Sequence, residues 1–295
     1  MKKTYFDFPS DGGSNVLEQV IEQKKKIETN LASIGHLVAV GSGKGGVGKS
    51  TLTMLLALAF TARGHKCAIL DADFNGPSQA RLGGLKTLTP VPGSHGLVVP
   101  MTKSGLGVVS FGSLVPEPEP VDFPTVSQSD SYTWRATKEF SILGDILAGS
   151  DWRPFDTLLL DLPPGSERTF HYAEFFGAMA KFVLVTLPSD LSRGVVARSI
   201  SALQKSQSAL LGYIENMNGY YCASCREVRP LFPSSAEVNL GAACLGEVPF
   251  DPALADLCDR GISPAARDGL VVFEAVDMVC GRILERLQAG GRSLK

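Results

Sequence analysis

The sequence predicts an α/β fold with a mostly parallel central sheet and helices on both faces. Two observations predict it. A glycine-rich stretch, Gly41-Ser42-Gly43-Lys44-Gly45-Gly46-Val47-Gly48-Lys49-Ser50-Thr51, lies between the apolar runs Leu37-Val38-Ala39-Val40 and Leu52-Thr53-Met54-Leu55-Leu56-Ala57-Leu58-Ala59. That is a strand, a tight loop and a helix in succession. Further on, short apolar runs alternate with helical patterns over short connections, the signature of βαβ units and a parallel sheet.

Gly43, Gly48, Lys49 and Ser50 fill the pattern G-x-x-x-x-G-K-[ST], a phosphate-binding P-loop. Glycines let successive N–H groups converge on one anion, and the helix N-terminus adds its partial positive charge. Residues Gly43, Lys44, Gly45, Gly46, Val47, Gly48, Lys49, Ser50 and Thr51 are therefore the nucleotide-binding candidates, with Lys49 on the β/γ-phosphates and Ser50 on Mg2+. Gly41, Gly43 and Gly46 also spell the dinucleotide fingerprint G-x-G-x-x-G, but that reading leaves the Lys-Ser ending unexplained.

Bulk composition narrows the classes. The chain has 295 residues, 44% hydrophobic and 20% charged, with a net charge of −2. This is an ordinary globular balance, and it offers no electrostatic case for a nucleic-acid partner. No apolar run approaches the ~18 residues of a membrane span, and the N-terminus lacks the apolar core of a signal peptide. A cytoplasmic protein without stable membrane association is expected, its six cysteines reduced or metal-bound. The expected organisation is a flexible tail over 1–14, one ATPase domain over 15–288 with a lead-in helix, and a tail over 289–295.

Taken in order, residues 15–34 carry apolar side chains near helical spacing, a helix packing on the domain with the run Lys24-Lys25-Lys26 on its solvated face. Lys66-Cys67-Ala68-Ile69-Leu70 reads as a strand ending in Asp71-Ala72-Asp73. Carboxylates there can hold magnesium or orient the attacking water; Asp71 is the metal candidate and Asp73 the candidate for the water. Either aspartate alone could also form the turn before Asn75-Gly76-Pro77. Residues 83–133 are expected to be poor in regular structure, with one strand near 106–111 and a Pro/Ser-rich excursion over 115–131. Phe155-Asp156-Thr157-Leu158-Leu159-Leu160-Asp161 is an apolar strand whose terminal Asp161 serves Mg2+. The turn that follows offers the Gly165 N–H to a γ-phosphate. Strands are further expected at 181–187, 210–216 and 244–250, with a helix at 192–203. Asn216, at the carboxyl edge of the sheet, is a base-contact candidate.

Cys222-Ala223-Ser224-Cys225 presents two thiolates from a loop within 220–233. The pair could be redox-active, structural or half of a metal site. No second Cys-x-x-Cys follows among Cys67, Cys244, Cys258 and Cys280; if two chains meet about a two-fold axis at this loop, two copies supply four sulfurs, which would suit a bridging iron–sulfur cluster or a zinc ion. The last helix, about 270–287, has a wide apolar stripe and acidic as well as basic residues, which favours packing on the core over docking on a membrane.

The loop form Gly43-Lys44-Gly45-Gly46-Val47-Gly48-Lys49-Ser50 resembles the deviant P-loop of the MinD/ParA/Mrp/nitrogenase-iron-protein ATPases, of the SIMIBI type. With Asn75-Gly76-Pro77-Ser78, Asp161-Leu162-Pro163-Pro164-Gly165, Glu215-Asn216-Met217, Cys222/Cys225 and Leu245-Gly246-Glu247-Val248-Pro249-Phe250-Asp251, it resembles the Mrp branch of iron–sulfur cluster carriers. The resemblance implies a homodimer sandwiching two ATPs, Lys44 reaching the partner's nucleotide, slow Mg-dependent hydrolysis with Lys44, Lys49, Asp73 and Asp161 as catalytic candidates, and a [4Fe-4S] cluster bridged by Cys222 and Cys225 of both subunits and passed to apoproteins. Ser166-Glu167-Arg168 and Arg226 depart from the Thr-Gly-Asp and Gly usual in that branch. The competing functions are a surface-binding positioning ATPase, an ATP-dependent reductase and a zinc-bridged adaptor.

Overall fold

The computed structural model describes residues 16–85, 91–110, 131–206, 208–232, 239–263 and 270–291. The tail over 1–14, most of the excursion over 115–131 and residues 292–295 lie outside them. Helix α1 (Val16–Asn30) precedes β1 (His36–Ser42), α2 (Lys49–Ala62), β2 (Cys67–Asp71) and the single-turn α3 (Gln79–Leu82). A small hairpin of β3 (Val91–Gly93) and β4 (Gly96–Val98) leads to β5 (Gly107–Val109), α4 (Ser131–Gly149) and the short β6 (Ser150–Asp151). Then come β7 (Thr157–Asp161), α5 (Ser166–Phe176), β8 (Lys181–Thr186), α6 (Asp190–Leu203) and β9 (Ala209–Cys222). The chain continues with β10 (Glu227–Arg229), β11 (Cys244–Phe250), α7 (Pro252–Arg260) and α8 (Val271–Gly291).

The main sheet runs β10-β9-β8-β1-β7-β2-β5, with β11 also on β9. Every pairing in it is parallel except β10 against β9. The β3–β4 hairpin and β6 form a separate three-stranded sheet. The strand period of two decides where the core sits. In β1, Val38 and Val40 face one hydrophobic cluster with α2 and α8, while Leu37 and Ala39 face a second with α1, α4, α5 and α6. Parallel strands covered on both faces must be apolar on both, which is why these runs are nearly continuous rather than alternating. With β1 held between β7 and β8, the loop after Ser42 emerges at the middle of the carboxyl edge.

The fold class expected from the sequence is the one found, and the differences are local. Helices α4, α5 and α7 and the β3–β4 hairpin have no counterpart in the sequence reading. Leu143 and Leu147 of α4, and Tyr172, Ala173 and Phe176 of α5, are buried at helical spacing, so that signal was present. Helix α8 buries Val272, Phe273, Val276, Val279, Cys280, Ile283 and Leu287 in the core. Its Arg282 and Arg286 donate to the carbonyls of Leu245 (2.9 Å) and Leu211 (3.0 Å), so these cations are spent on the sheet. No described helix is long and apolar enough to cross a membrane.

Candidate functional site

The loop between β1 and α2 closes on glycines. Gly46 and Gly48 have φ of 77° and 78°, in the left-handed region that glycine enters without a Cβ penalty. At Gly48 a Cβ would also lie 2.3 Å from Asn216 Nδ2, so any larger residue would have to push that amide off the loop. Asn216 donates that amide to the Val47 carbonyl at 2.8 Å. Strand β9 thereby touches the loop through the residue expected to read a base. Gly45 and Gly46 are exposed and Lys44 is half-buried, its carbonyl accepting from Ser42 Oγ at 3.0 Å.

Inside the loop, Lys49 Nζ donates to Asp161 Oδ1 at 2.5 Å and to Ser50 Oγ at 3.3 Å. Lys49 is 6% exposed and Asp161 fully buried. Such a pair is stable only if its remaining valences are filled, because each charge has lost its water. They are filled for Asp161. Thr53 Oγ1 donates to Oδ1 at 3.2 Å, and Gln79 Nε2 donates to Oδ2 at 2.8 Å. Asp71 lies directly across from Asp161 in the β2–β7 register. Its Oδ2 accepts from the N–H groups of Ser78 (2.9 Å) and Gln79 (3.0 Å) and from Ser110 Oγ (2.9 Å). Its Oδ1 accepts from the Asp73 N–H at 3.2 Å. Burial, then the nearby Asp161 charge, push the Asp71 carboxyl up to about 7 against those donors. Asp71 therefore organises the 73–79 segment, whereas Asp161 meets the loop lysine directly. Asp73 is half-buried and its Oδ1 accepts from the Gly76 N–H at 3.2 Å, an Asx-type turn.

Gly165 precedes α5 with φ 121° and ψ 138°, a conformation open to glycine alone. Its N–H is donated to the Ser42 carbonyl at 2.9 Å, tying the turn after β7 to the start of the phosphate loop. Arg168, in the first turn of α5, pairs with the buried Glu139 of α4, and Asn75 donates to the same carboxylate at 3.3 Å.

At the cysteine pair, where the sequence predicts a loop, β9 runs on to Cys222 and turns through Ala223, Ser224 and Cys225 into β10. Positive φ at Met217 (55°) and Gly219 (92°) bends the strand without ending its pairing with β11 and β10. Tyr220 stacks on Phe250 at 6.2 Å. Cys222 is half-buried and Cys225 exposed. The Cys225 N–H, its thiol and the Ser224 N–H all favour the Cys222 thiolate and hold that thiol below its ordinary range, with Arg229 adding a smaller pull. The turn closes through the Arg226 N–H to the Cys222 carbonyl at 2.7 Å, with Arg226 itself at φ 57°. A left-handed non-glycine residue costs about 1–2 kcal/mol, partly offset by the greater freedom a glycine has in the unfolded chain. Arg226→Gly is therefore expected to stabilise the protein by about 0.5–1 kcal/mol, read as an upward shift of the urea midpoint; a lower midpoint would mean that the arginine side chain, not the turn, governs this corner.

The sequence profile described as "ParA: NUBPL iron-transfer P-loop NTPase" matches residues 33–283. The chain belongs to the NUBPL iron-transfer P-loop NTPase family. It is 31% identical over 272 residues to an iron-sulfur cluster carrier protein of Methanocaldococcus jannaschii, covering 90% of each chain. It is 34% identical over 265 residues to the cytosolic Fe-S cluster assembly factor cfd1 of Neurospora crassa, covering 82% of this chain and 83% of that one. Among solved structures, a nucleotide-binding protein in complex with ADP from Archaeoglobus fulgidus has 30% identity and a TM-score of 0.66, over 85% of this chain and 95% of that one. The cell division ATPase MinD of Pyrococcus furiosus, 21% identical with a TM-score of 0.60 over 85% of this chain and 99% of that one, shares the fold.

Within this NUBPL-family frame, three polar contacts at the site escape sequence reading. Thr53, one turn into α2, looks like a helix-interior residue yet its hydroxyl reaches both the Lys49 carbonyl (2.9 Å) and Asp161. Ser110 follows β5 with nothing to mark it. Gln79 follows Asn75-Gly76-Pro77-Ser78, and only the register of β2 against β7 reveals what its amide meets.

Proposed function

We propose that the protein is an ATP-hydrolysing, homodimeric carrier of a [4Fe-4S] cluster, which two chains bridge through Cys222 and Cys225 and pass to apoproteins in the cytoplasm. The observation that carries this reading is that Asn216 and Cys222 stand on one strand. Six residue steps along β9 lead from a contact to the phosphate loop to the first sulfur, at most about 20 Å along an extended strand. Anything that moves Asn216 on nucleotide binding is thus transmitted along a single hydrogen-bonded element to the sulfur site. Family membership, and relatives whose names describe iron-sulfur cluster carriage and assembly, support the cargo.

For the nucleotide, the loop from Gly43 to Thr51 supplies N–H groups to phosphate, and Lys49 the charge for the β/γ-phosphates. Ser50 and Asp161 are one hydroxyl and one carboxylate, a donor set that fits Mg2+, which takes few protein oxygens and completes its shell with phosphates and water. Bound there, Mg2+ would supply charge neutralisation between the phosphates. Lys49 then exchanges Asp161 for phosphate, and the Gly165 N–H leaves the Ser42 carbonyl for the γ-phosphate. Asp73 orients the water. The base enters a cleft of about 120 Å3 lined by Gly48, Thr51, Asn216, Phe250, Asp251 and Cys258. Asp251 Oδ2 is buried without a hydrogen-bond partner among the described residues, and an adenine amino group is the donor it lacks. Lys44 reaches across the dimer interface.

The test is metal and sulfide analysis of protein purified without oxygen, with its mass in solution. Iron and sulfide near four each per dimer are expected for a [4Fe-4S] cluster; stoichiometric zinc instead would replace the carrier by an adaptor.

A further inference from the structure

Gln79 has a side chain whose chemistry the nucleotide reading leaves unused. It is fully buried at the start of α3, in the segment that Asp71 organises. Its Nε2 makes two donations, to Asp161 Oδ2 at 2.8 Å and to the Ser50 carbonyl at 2.9 Å. Those two acceptors fix the amide orientation, because a flipped amide would set an oxygen against a carboxylate and a carbonyl. The consequence is that Oε1 is buried without a partner among the described residues. An unmet buried acceptor is destabilising, and an apolar side chain of the same length would fill the space without one. What Gln79 supplies in return is two N–H groups, one on the Asp161 carboxylate and one on the main-chain carbonyl of Ser50, the residue whose hydroxyl is the other proposed Mg2+ donor.

We infer that Gln79 is a positioning residue for the metal: it fastens the strand carrying Asp161 to the helix start carrying Ser50, so that the two oxygen donors keep a fixed separation. With Oδ2 held by Gln79, the Asp161 carboxylate cannot rotate freely, and Oδ1 faces the loop, where Lys49 and Thr53 meet it. Mg2+ tolerates little departure from octahedral geometry at short distances, so a fixed carboxylate bears more on this ion than on the nucleotide itself. Orientation of ligating carboxylates by outer hydrogen bonds is a general requirement of metal sites.

The inference rests on the assignment of Ser50 and Asp161 to Mg2+, and the experiment separates the two. ADP affinity is measured by calorimetry on the full chain with Mg2+ and with EDTA, and the ratio of the two Kd values is the readout. Gln79→Met keeps the length and removes the donors; Gln79→Glu keeps the length and turns donors into acceptors. Both retain the residue 79 N–H that caps Asp71. The Mg2+ contribution to ADP affinity is expected to shrink about tenfold or vanish in each, the size of one hydrogen bond to a charged group. A folded variant whose ratio equals that of wild type overturns the inference, including the case in which both Kd values weaken together, since that is a structural effect without metal specificity. A wild-type ratio of one overturns the Mg2+ assignment itself.

Discussion

Protein carrying Cys222→Ser and Cys225→Ser together is expected to retain essentially no cluster after anaerobic reconstitution, while folding and binding nucleotide as wild type does. The loss should be near-complete because serine oxygen is a hard, protonated donor at neutral pH, whereas iron in such clusters is held by thiolate. The fold should be indifferent. Cys225 is exposed and Cys222 half-buried at a hairpin tip, and substitutions of this kind stay within about 0.5 kcal/mol. The remaining four cysteines supply the control. Cys67 and Cys280 are buried in the core, and burial pushes the Cys67 thiol well up, away from the thiolate that a metal needs. Cys244 and Cys258 likewise have thiols raised chiefly by burial. Cys244→Ser and Cys258→Ser should therefore leave the iron content unchanged. Absorbance and iron counting on the three proteins read this directly, and a full complement of iron in the double variant would remove the cysteine hairpin from the mechanism.

Local turn chemistry decides how well that hairpin presents its sulfurs. The donors from Ser224 and Cys225 require the chain to curl tightly enough for two N–H groups to face the Cys222 sulfur, and the curl is completed by the left-handed Arg226. A sequence shows the Cys-x-x-Cys spacing but not that curl, because arginine gives no signal for positive φ. The contrast with the phosphate loop is instructive. There the left-handed positions are glycines, the helix after them is apolar on all sides, and the strand before them is a central one, so motif, local conformation and burial agree. The fold class was legible for the same reason: strands apolar on both faces can only lie inside a sheet covered twice. What sequence could not reveal is contact between segments distant in the chain. Asp71 and Asp161 each end an apolar strand, and by sequence alone they look interchangeable as metal donors. The register of β2 against β7 sets them side by side, and their neighbours then differ: Asp71 is enclosed by N–H and O–H groups of its own downstream segment, Asp161 by the loop lysine, Thr53 and Gln79. Helices α4 and α5 are illegible in the sequence for another reason. Their apolar positions follow helical spacing, but each is entered from glycine- and proline-rich sequence that reads as loop.

Lys44→Ala is expected to bind ATP within a few-fold of wild type and to hydrolyse it about 10²- to 10³-fold more slowly, the usual cost of removing one donor from developing phosphate charge. Position distinguishes the two lysines. Lys49 is buried with a carboxylate partner, while Lys44 is half-buried beside the exposed Gly45 and Gly46. With Lys49 serving the nucleotide of its own chain, the proposed function leaves Lys44 for the nucleotide of a second copy. Phosphate release at saturating ATP measures the loss; a wild-type rate in Lys44→Ala would falsify the interface role. Mixing separates action across the interface from action within the chain. Asp73→Asn is isosteric and, with Asp73 orienting the water, also inactive, but it keeps Lys44. If Lys44 acts across the interface, a mixed dimer has one site with its own Asp73 and the partner copy's Lys44. Random pairing makes half of the dimers mixed, each with one competent site of two, so an equimolar mixture should recover about a quarter of the wild-type rate per chain. If Lys44 acts within its own chain, each subunit of the mixed dimer still lacks one catalytic group, and the mixture recovers nothing. The amplitude of recovery thus reports which subunit's nucleotide the lysine touches.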